Sequence, residues 1–298
     1  MQPASSSNVR KSETPIHRTK REVLHARQVG SLGAGLLVAI LVLLIKISYV
    51  SSVATAANSQ QRANAKHRTA SDPAPKEQPV PFRTGEKLSY RVSWSLFSSA
   101  ASLELSAPER RDLFGYQTWH FRGVAHTLNS VRALFPIDDQ FDSYSGVGTL
   151  DCLRFERHLN EMGKSANEVL HLAPSNRRSQ LPPPIVIVPR DTRDPLGAVY
   201  SLRSIDWRRT PDFRAPVYDG RDLYEMRAFC KSTEESVKVA AGVYSASHIS
   251  IRVFQNQKEL AAVHYRLWIA ADAARTPVLL EADLPFGTIR AELTSATR

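Results

Sequence analysis

"EKLSYRVSW", residues 86–94, alternates two kinds of residue without a break. Leu88, Tyr90, Val92 and Trp94 fall on one side, and Lys87, Ser89, Arg91 and Ser93 on the other. Successive side chains of a strand point to opposite faces, so this stretch predicts a strand with one face on a core and one in water. The period returns downstream. In "SASHISIRVF" Ile249, Ile251 and Val253 oppose His248, Ser250 and Arg252, and in "AAVHYRLWIA" Val263, Tyr265, Leu267 and Ile269 oppose His264, Arg266 and Trp268. "DLYEMRAFC", "TPVLLEAD" and "GTIRAELTS" are further strands.

Turn signals separate them: "RTGE", "SGVG", "EMGKS", "YDGRD", "AAG" and "LPFG". These spacings leave no room for crossover helices, so the connections are mainly hairpins and the sheet mainly antiparallel. About ten to twelve strands in one run predict a mainly β fold, a large curved antiparallel sheet or barrel-like layer, because a sheet that wide curls. No fixed-period repeat is visible, which argues against a propeller or solenoid.

Two stretches interrupt the strands. "HTLNSVRALFP", residues 126–136, has Leu128, Val131 and Leu134 at helical spacing. "DPLGAVYSLRS", residues 194–204, reads as a short helix. Asp194 is a good N-cap, Pro195 suits the first helical position, and Leu196, Val199 and Tyr200 share a packing face. The prolines of the preceding "LPPPIVIVPRD" forbid a central-strand partner on their N–H side.

The N-terminus has a different character. "VGSLGAGLLVAILVLLIKISYV", residues 29–50, is apolar except for two serines and Lys46. As a helix it spans about 33 Å, enough for a bilayer core of about 30 Å. Residues 1–28 form a basic tail, with six Lys/Arg against two Glu, which the positive-inside rule keeps in the cytoplasm. Residues 29–50 are thus a transmembrane anchor or a signal segment, and the small-residue "ATAAN" offers cleavage near Ala56. The long basic leader and span-length run favour a single-pass inner-membrane anchor, with the domain in the periplasm. The alternative is secretion after cleavage. Residues 51–81 are small, polar and Pro-containing and read as a disordered linker, leaving residues 82–298 as the exported β-rich domain.

The net charge of +10 resides mostly in the N-terminal segments, since residues 81–298 carry 28 Lys/Arg against 25 Asp/Glu. A polyanion-binding domain would concentrate the charge in the fold, so nucleic acid is excluded as a partner. Two cysteines, Cys152 and Cys230, form no C-x-x-C pair. Outside the cytoplasm they can bond as a disulfide, or remain two separate buried thiols.

Five of these stretches together resemble the bacterial cell-envelope family known as domain of unknown function 3108. They are "FRTGEKLSYRVSW" at 82–94, "FDSYSG" at 141–146, "DPLGAVYSLR" at 194–203, "PVYDGRDLYEM" at 216–226 and "LWIAADAARTPVLLEADLPFGTIRAELTS" at 267–295. The resemblance covers about residues 82–296 and implies an exported β-rich domain without an established activity or catalytic residues to carry over.

The residues themselves supply no catalytic motif. There is no G-x-S-x-G elbow, no glycine-rich phosphate loop, and no H-x-H or H-E-x-x-H pair among His120, His126, His158, His171, His248 and His264. No cofactor or metal is expected. Asp138, Asp139, Asp142, Asp219 and Asp222 read as turn chemistry, although Asp142 and Asp219 could serve an acid-dependent envelope glycoside hydrolase. Asp191 is expected to bond Arg190 or Arg193, and Arg203, Arg208 and Arg209 to form a solvated basic face. The expected function is a membrane-tethered binding or scaffold module, holding a lipid-like or peptide ligand or an envelope protein partner in the curved sheet. The alternative is a structural component of an envelope complex without a pocket. A ligand site would be a pocket of several hundred Å³.

Overall fold

The computed structural model describes residues 76–174 and 181–298. The basic tail, the apolar run at 29–50, the Ala56 cleavage site and most of the linker lie outside the described residues. Among the described residues no helix is long and apolar enough to cross a membrane.

Among the described residues, fourteen strands form one sheet. The first half comprises β1 (Glu86–Trp94), β2 (Phe97–Leu113), β3 (Tyr116–Thr127), β4 (Asp138–Gly146), β5 (Cys152–Glu161), β6 (Lys164–Ala173) and β7 (Ile185–Ile187). The second comprises β8 (Asp212–Tyr218), β9 (Leu223–Val239), β10 (Gly242–Gln255), β11 (Lys258–Glu259), β12 (His264–Ala270), β13 (Pro277–Leu284) and β14 (Gly287–Thr297). Helix α1 (Asn129–Leu134) joins β3 to β4, and α2 (Pro195–Ser204) lies between β7 and β8. The sheet order is β7-β6-β5-β4-β3-β2-β1-β14-β13-β12-β10-β9-β8, with β11 paired to β10. The first and last strands meet in the middle, and the chain passes from one outer edge to the other through α2. Among the described strands the β6–β7 pair alone is parallel; β7 follows the prolines and lies at the edge of the sheet.

Hairpin geometry follows the sequence. Phe114–Gly115 and Met162–Gly163 each form a two-residue connection with positive φ at both positions (55° and 81°, 53° and 75°). That is the mirror-image turn whose twist matches antiparallel strands, and glycine supplies its second residue without a Cβ clash.

The sheet curls until its β8 edge nears β5. One strap spans the gap: Cys152 N–H donates to Thr192 O (2.8 Å), Arg193 N–H to Pro216 O (2.9 Å) and Tyr218 N–H to Arg193 O (2.8 Å). A single extended residue pair on each side closes a gap of roughly two strand spacings, about 10 Å. The main core lies inside, built from Leu88, Tyr90, Phe121, Phe141, Phe155, Leu196, Tyr200 and Leu293 among others.

Two expectations shift. The domain begins before Phe82, because Gln78 N–H donates to Val147 O, Glu77 pairs with Arg110, and Val80 packs on the core. One apolar residue between prolines is enough to dock this segment. Trp268, expected with the polar side of its strand, is buried and stacks on His248 (centroids 4.4 Å apart).

Candidate functional site

Helix α2 fills the interior. Nine of its ten residues are buried although the helix is only weakly amphipathic, so burial of an apolar stripe does not by itself hold it. Both ends are held by polar groups instead. At the start, Asp194 Oδ1 accepts from the backbone N–H of Leu196 and Gly197 (2.9 Å each), and Ser143 Oγ donates to Oδ2 (2.5 Å). Pro195 occupies the first helical position, Leu196 and Tyr200 are buried, and Val199 is half-buried against the core. Tyr200 stacks on Phe121 with centroids 3.8 Å apart. Burial pushes the Asp194 carboxyl above the usual aspartate range, against the pull of the Ser143 and Gly197 donors. Burial, with Asp194 alongside, pushes the Cys152 thiol well up.

At the other end, Arg203 is 0% exposed and Glu86 1%. The guanidinium pairs with both carboxylate oxygens of Glu86 and donates through Nε to Ala274 O (3.0 Å) and Arg275 O (2.9 Å). Burial alone would weaken its hold on the proton, but the Glu86 carboxylate keeps it charged. The expected solvated face of Arg203, Arg208 and Arg209 is therefore corrected. Arg208 and Arg209 make surface pairs with Glu234 and Asp206, whereas Arg203 turns inward because it shares the helix face of Leu196 and Tyr200. Arg193 donates to the backbone carbonyls of Asp191 and Thr149, which fixes the strap.

Beside α2 lies an apolar cavity of about 90 Å³. Ala198, Val199 and Leu202 of the helix form one wall, and Met226, Ile251, Val253, Tyr265, Leu267, Leu280, Ala282 and Ile289 the other. Arg266 and Glu281 also border it, but their charged ends pair with each other (3.0 Å) on the far side of the sheet, out of phase with Tyr265, Leu267, Leu280 and Ala282. The cavity is smaller than the several hundred Å³ expected, because α2 takes up most of the interior.

A second cluster lies on the opposite face of β3–β5. Asp142 Oδ1 accepts from His120 Nε2 (2.6 Å) and Arg122 Nε (2.7 Å), and Oδ2 from Gln140 Nε2 (2.7 Å). Burial raises the Asp142 carboxyl, but these three donors outweigh it and hold the group at about 2. Asp142 is thus a mid-strand ion-pair residue, a correction to its reading as a turn residue, whereas Asp219 does accept from Arg221 and Asp222 N–H in a turn (2.7 Å each). Potential ligand atoms of Asp142, Glu156 and His158 lie within 4.8 Å of one another. Arg122 and Arg154 already neutralise the two carboxylates, so the grouping is a compensated ion-pair cluster.

The acid pair of the alternative hydrolase reading does not form. Asp142 shares its face with Tyr144 and Glu156, whereas Asp219 lies beside Arg157, on the face of Phe141 and Phe155. Cys152 and Cys230 are both free, which corrects the disulfide alternative. They stand on β5 and β9, Cys152 in the main core and Cys230 against a separate cluster.

Comparison with known proteins adds the family. The sequence profile described as "Protein of unknown function (DUF3108)" matches residues 89–294. No curated protein matches. Among solved structures, the chain is similar to a β-barrel-like protein of domain of unknown function DUF1849 from Brucella abortus, at 10% identity and a TM-score of 0.46, covering 74% of this chain and 98% of that one. It is also similar to the hypothetical protein CT021 from Chlamydia trachomatis, at 6% identity and a TM-score of 0.35, covering 72% and 88%.

Proposed function

This chain belongs to the DUF3108 family, and we propose that it is a membrane-tethered extracytoplasmic binding module of the bacterial cell envelope, whose barrel holds the hydrocarbon end of a lipid-like ligand. The apolar cavity beside α2 carries this reading. Apart from the Tyr265 hydroxyl, the side chains that face it are hydrocarbon or thioether. A peptide backbone placed there would bury amide groups without partners, at about 1–3 kcal/mol each, whereas an alkyl chain loses nothing. Apolar cavities of about 150 Å³ stay dry and take up benzene or xenon, so this one suits a small ring or the last few carbons of an acyl tail. The apolar run at 29–50 places such ligands within reach by anchoring the domain at the periplasmic face of the inner membrane.

The test is photocrosslinking in membranes that contain the full chain, using palmitate with a diazirine at the end of its tail. Crosslinks are expected on α2 between Ala198 and Leu202 and on the facing strands at Ile251 and Ala282. Ala198→Phe, which fills the cavity, should abolish them while circular dichroism and Tm show an intact fold. Crosslinks that fall elsewhere, or that persist undiminished in this variant, would refute the reading.

A further inference from the structure

At the end of β1 opposite the Arg203–Glu86 pair, several apolar side chains stand in solvent on adjoining turns. Leu96 on the β1–β2 turn is 99% exposed, and Leu134 on α1 62%. Phe97, Met162 on the β5–β6 turn and Phe286 on the β13–β14 turn are also exposed. They form one connected rim. Trp94 stacks on Phe97 (5.8 Å) and donates through Nε1 to Phe286 O (3.3 Å). It also packs with Val131 and Phe135 around Ala100. Met162 N–H donates to Pro136 O (2.9 Å), which ties the β5–β6 turn to the end of α1.

We propose that this rim is a lipid-contact surface that seats the domain on the bilayer to which the chain is tethered. The proposal rests on the membrane-tethered reading above. Three observations single out lipid as the occupant. Leu96 stands free of walls, so it needs a fluid apolar medium to bury it rather than a matching pocket. The rim mixes Trp and Phe with aliphatic residues, the composition of side chains at a membrane–water interface. The chain itself carries the apolar run at 29–50, and residues 51–76 reach about 85 Å when extended. That exceeds the roughly 30 Å length of β1, so the tether can reach even though Glu77 docks by Arg110. Seating there would also bring the bilayer close to the cavity, because Ile289, in its wall, is the register partner of Trp94.

The full chain, in a Cys230→Ser background, would be reconstituted in vesicles of phosphatidylethanolamine and phosphatidylglycerol (3:1). A fluorophore would be placed at Leu96→Cys, Phe286→Cys or Val243→Cys, the last an exposed site at the start of β10. Acyl-brominated lipids should quench the labels at 96 and 286 and leave that at 243 unquenched. Adding Leu134→Ser and Met162→Ser should diminish quenching at 96. Unquenched rim labels, or equal quenching at all three sites, would overturn the proposal. So would a blue-shifted but unquenched rim label, which would indicate a protein partner. Cavity crosslinks with unquenched rim labels would sink this proposal alone. Quenched rim labels without cavity crosslinks would sink the binding reading alone.

Discussion

Removing the guanidinium of Arg203 is the sharpest test of what holds α2 in place. Arg203→Met leaves a similar volume but strands the Glu86 carboxylate, 1% exposed, without its counterion. It also removes the donors to Ala274 O and Arg275 O. Breaking a buried pair from one side costs about 3–5 kcal/mol, because an uncompensated charge remains. Against a total stability of about 5–15 kcal/mol this is roughly a fifth of the fold or more. Glu86→Gln should cost less, since the guanidinium keeps its two carbonyl partners. The double variant Glu86→Met, Arg203→Met removes both charges, and its remaining penalty is the two carbonyls, about 1–3 kcal/mol each when left unpaired. The double variant should therefore lose at least about 2 kcal/mol less than the sum of the two single-Met variants, a coupling of the size expected within one buried network. Urea unfolding of the wild type and these four variants, followed by circular dichroism, gives these differences directly. A loss below about 1 kcal/mol for Arg203→Met, or strict additivity in the double variant, would show that apolar packing alone seats the helix, and the argument would fail.

Two further outcomes follow from the same contacts. Asp142 titrates near 2 in the folded domain and near 3.9 unfolded. A lowered acid pKa contributes stability above the unfolded value and loses it as pH falls towards the folded one. Asp142→Asn should thus cost about 2 kcal/mol at pH 7 and progressively less below pH 4; urea midpoints at pH 7, 5 and 3.5 check this, and a pH-independent difference would contradict it. Gly197→Ala pits two effects against each other: helix propensity favours Ala by about 1 kcal/mol, but the new Cβ would lie 3.0 Å from Asp194 Oδ2 and from Ser145 Oγ. Overpacking of about 1–3 kcal/mol should win, giving a lower Tm in calorimetry; a raised Tm would mean the Asp194 site yields freely.

The strands were legible because a half-buried sheet imposes a period of two on residue type, and Leu88, Tyr90 and Val92 obey it. The α2 cap was legible because Asp-Pro is a local signal whose partners, Leu196 and Gly197 N–H, are two and three residues away. The ion pair was not, because Glu86 and Arg203 are 117 residues apart and each looks like a surface residue by type. Phase was the signal that could have found both. Glu86 is in step with Leu88 and Tyr90, and Arg203 with Leu196 and Tyr200. Asp142 was misread for a related reason. Its strand is covered on both faces, so Asp142 and Tyr144 form a second buried row, with Gln140 half-buried beside them, where alternation predicts water. The strap through Thr192 and Arg193 pairs with β5 and β8 through backbone groups, and side-chain identity is silent about those.

The polar clamps on α2 and the cavity beside it are two sides of one arrangement. A helix seated by an apolar stripe settles until its side chains fill the space beneath them, since each unfilled methylene-sized gap costs about 1 kcal/mol. Helix α2 is seated instead by Asp194 on Ser143 at one end and by Arg203 on Glu86 at the other, and both anchors lie in the first half of the sheet. Gly197 lets it approach those strands closely, since a Cβ there would lie 3.0 Å from Ser145 Oγ. The face turned to β9, β10, β12 and β13 carries Ala198, Val199 and Leu202, and these do not reach the opposite wall everywhere. Fixed ends and a short-chained flank together hold the gap open. A chain under pressure only for stability could close it with a larger residue at 198. The same geometry makes α2 a rigid wall, so a ligand tail entering the cavity would meet a surface already formed and need order only itself.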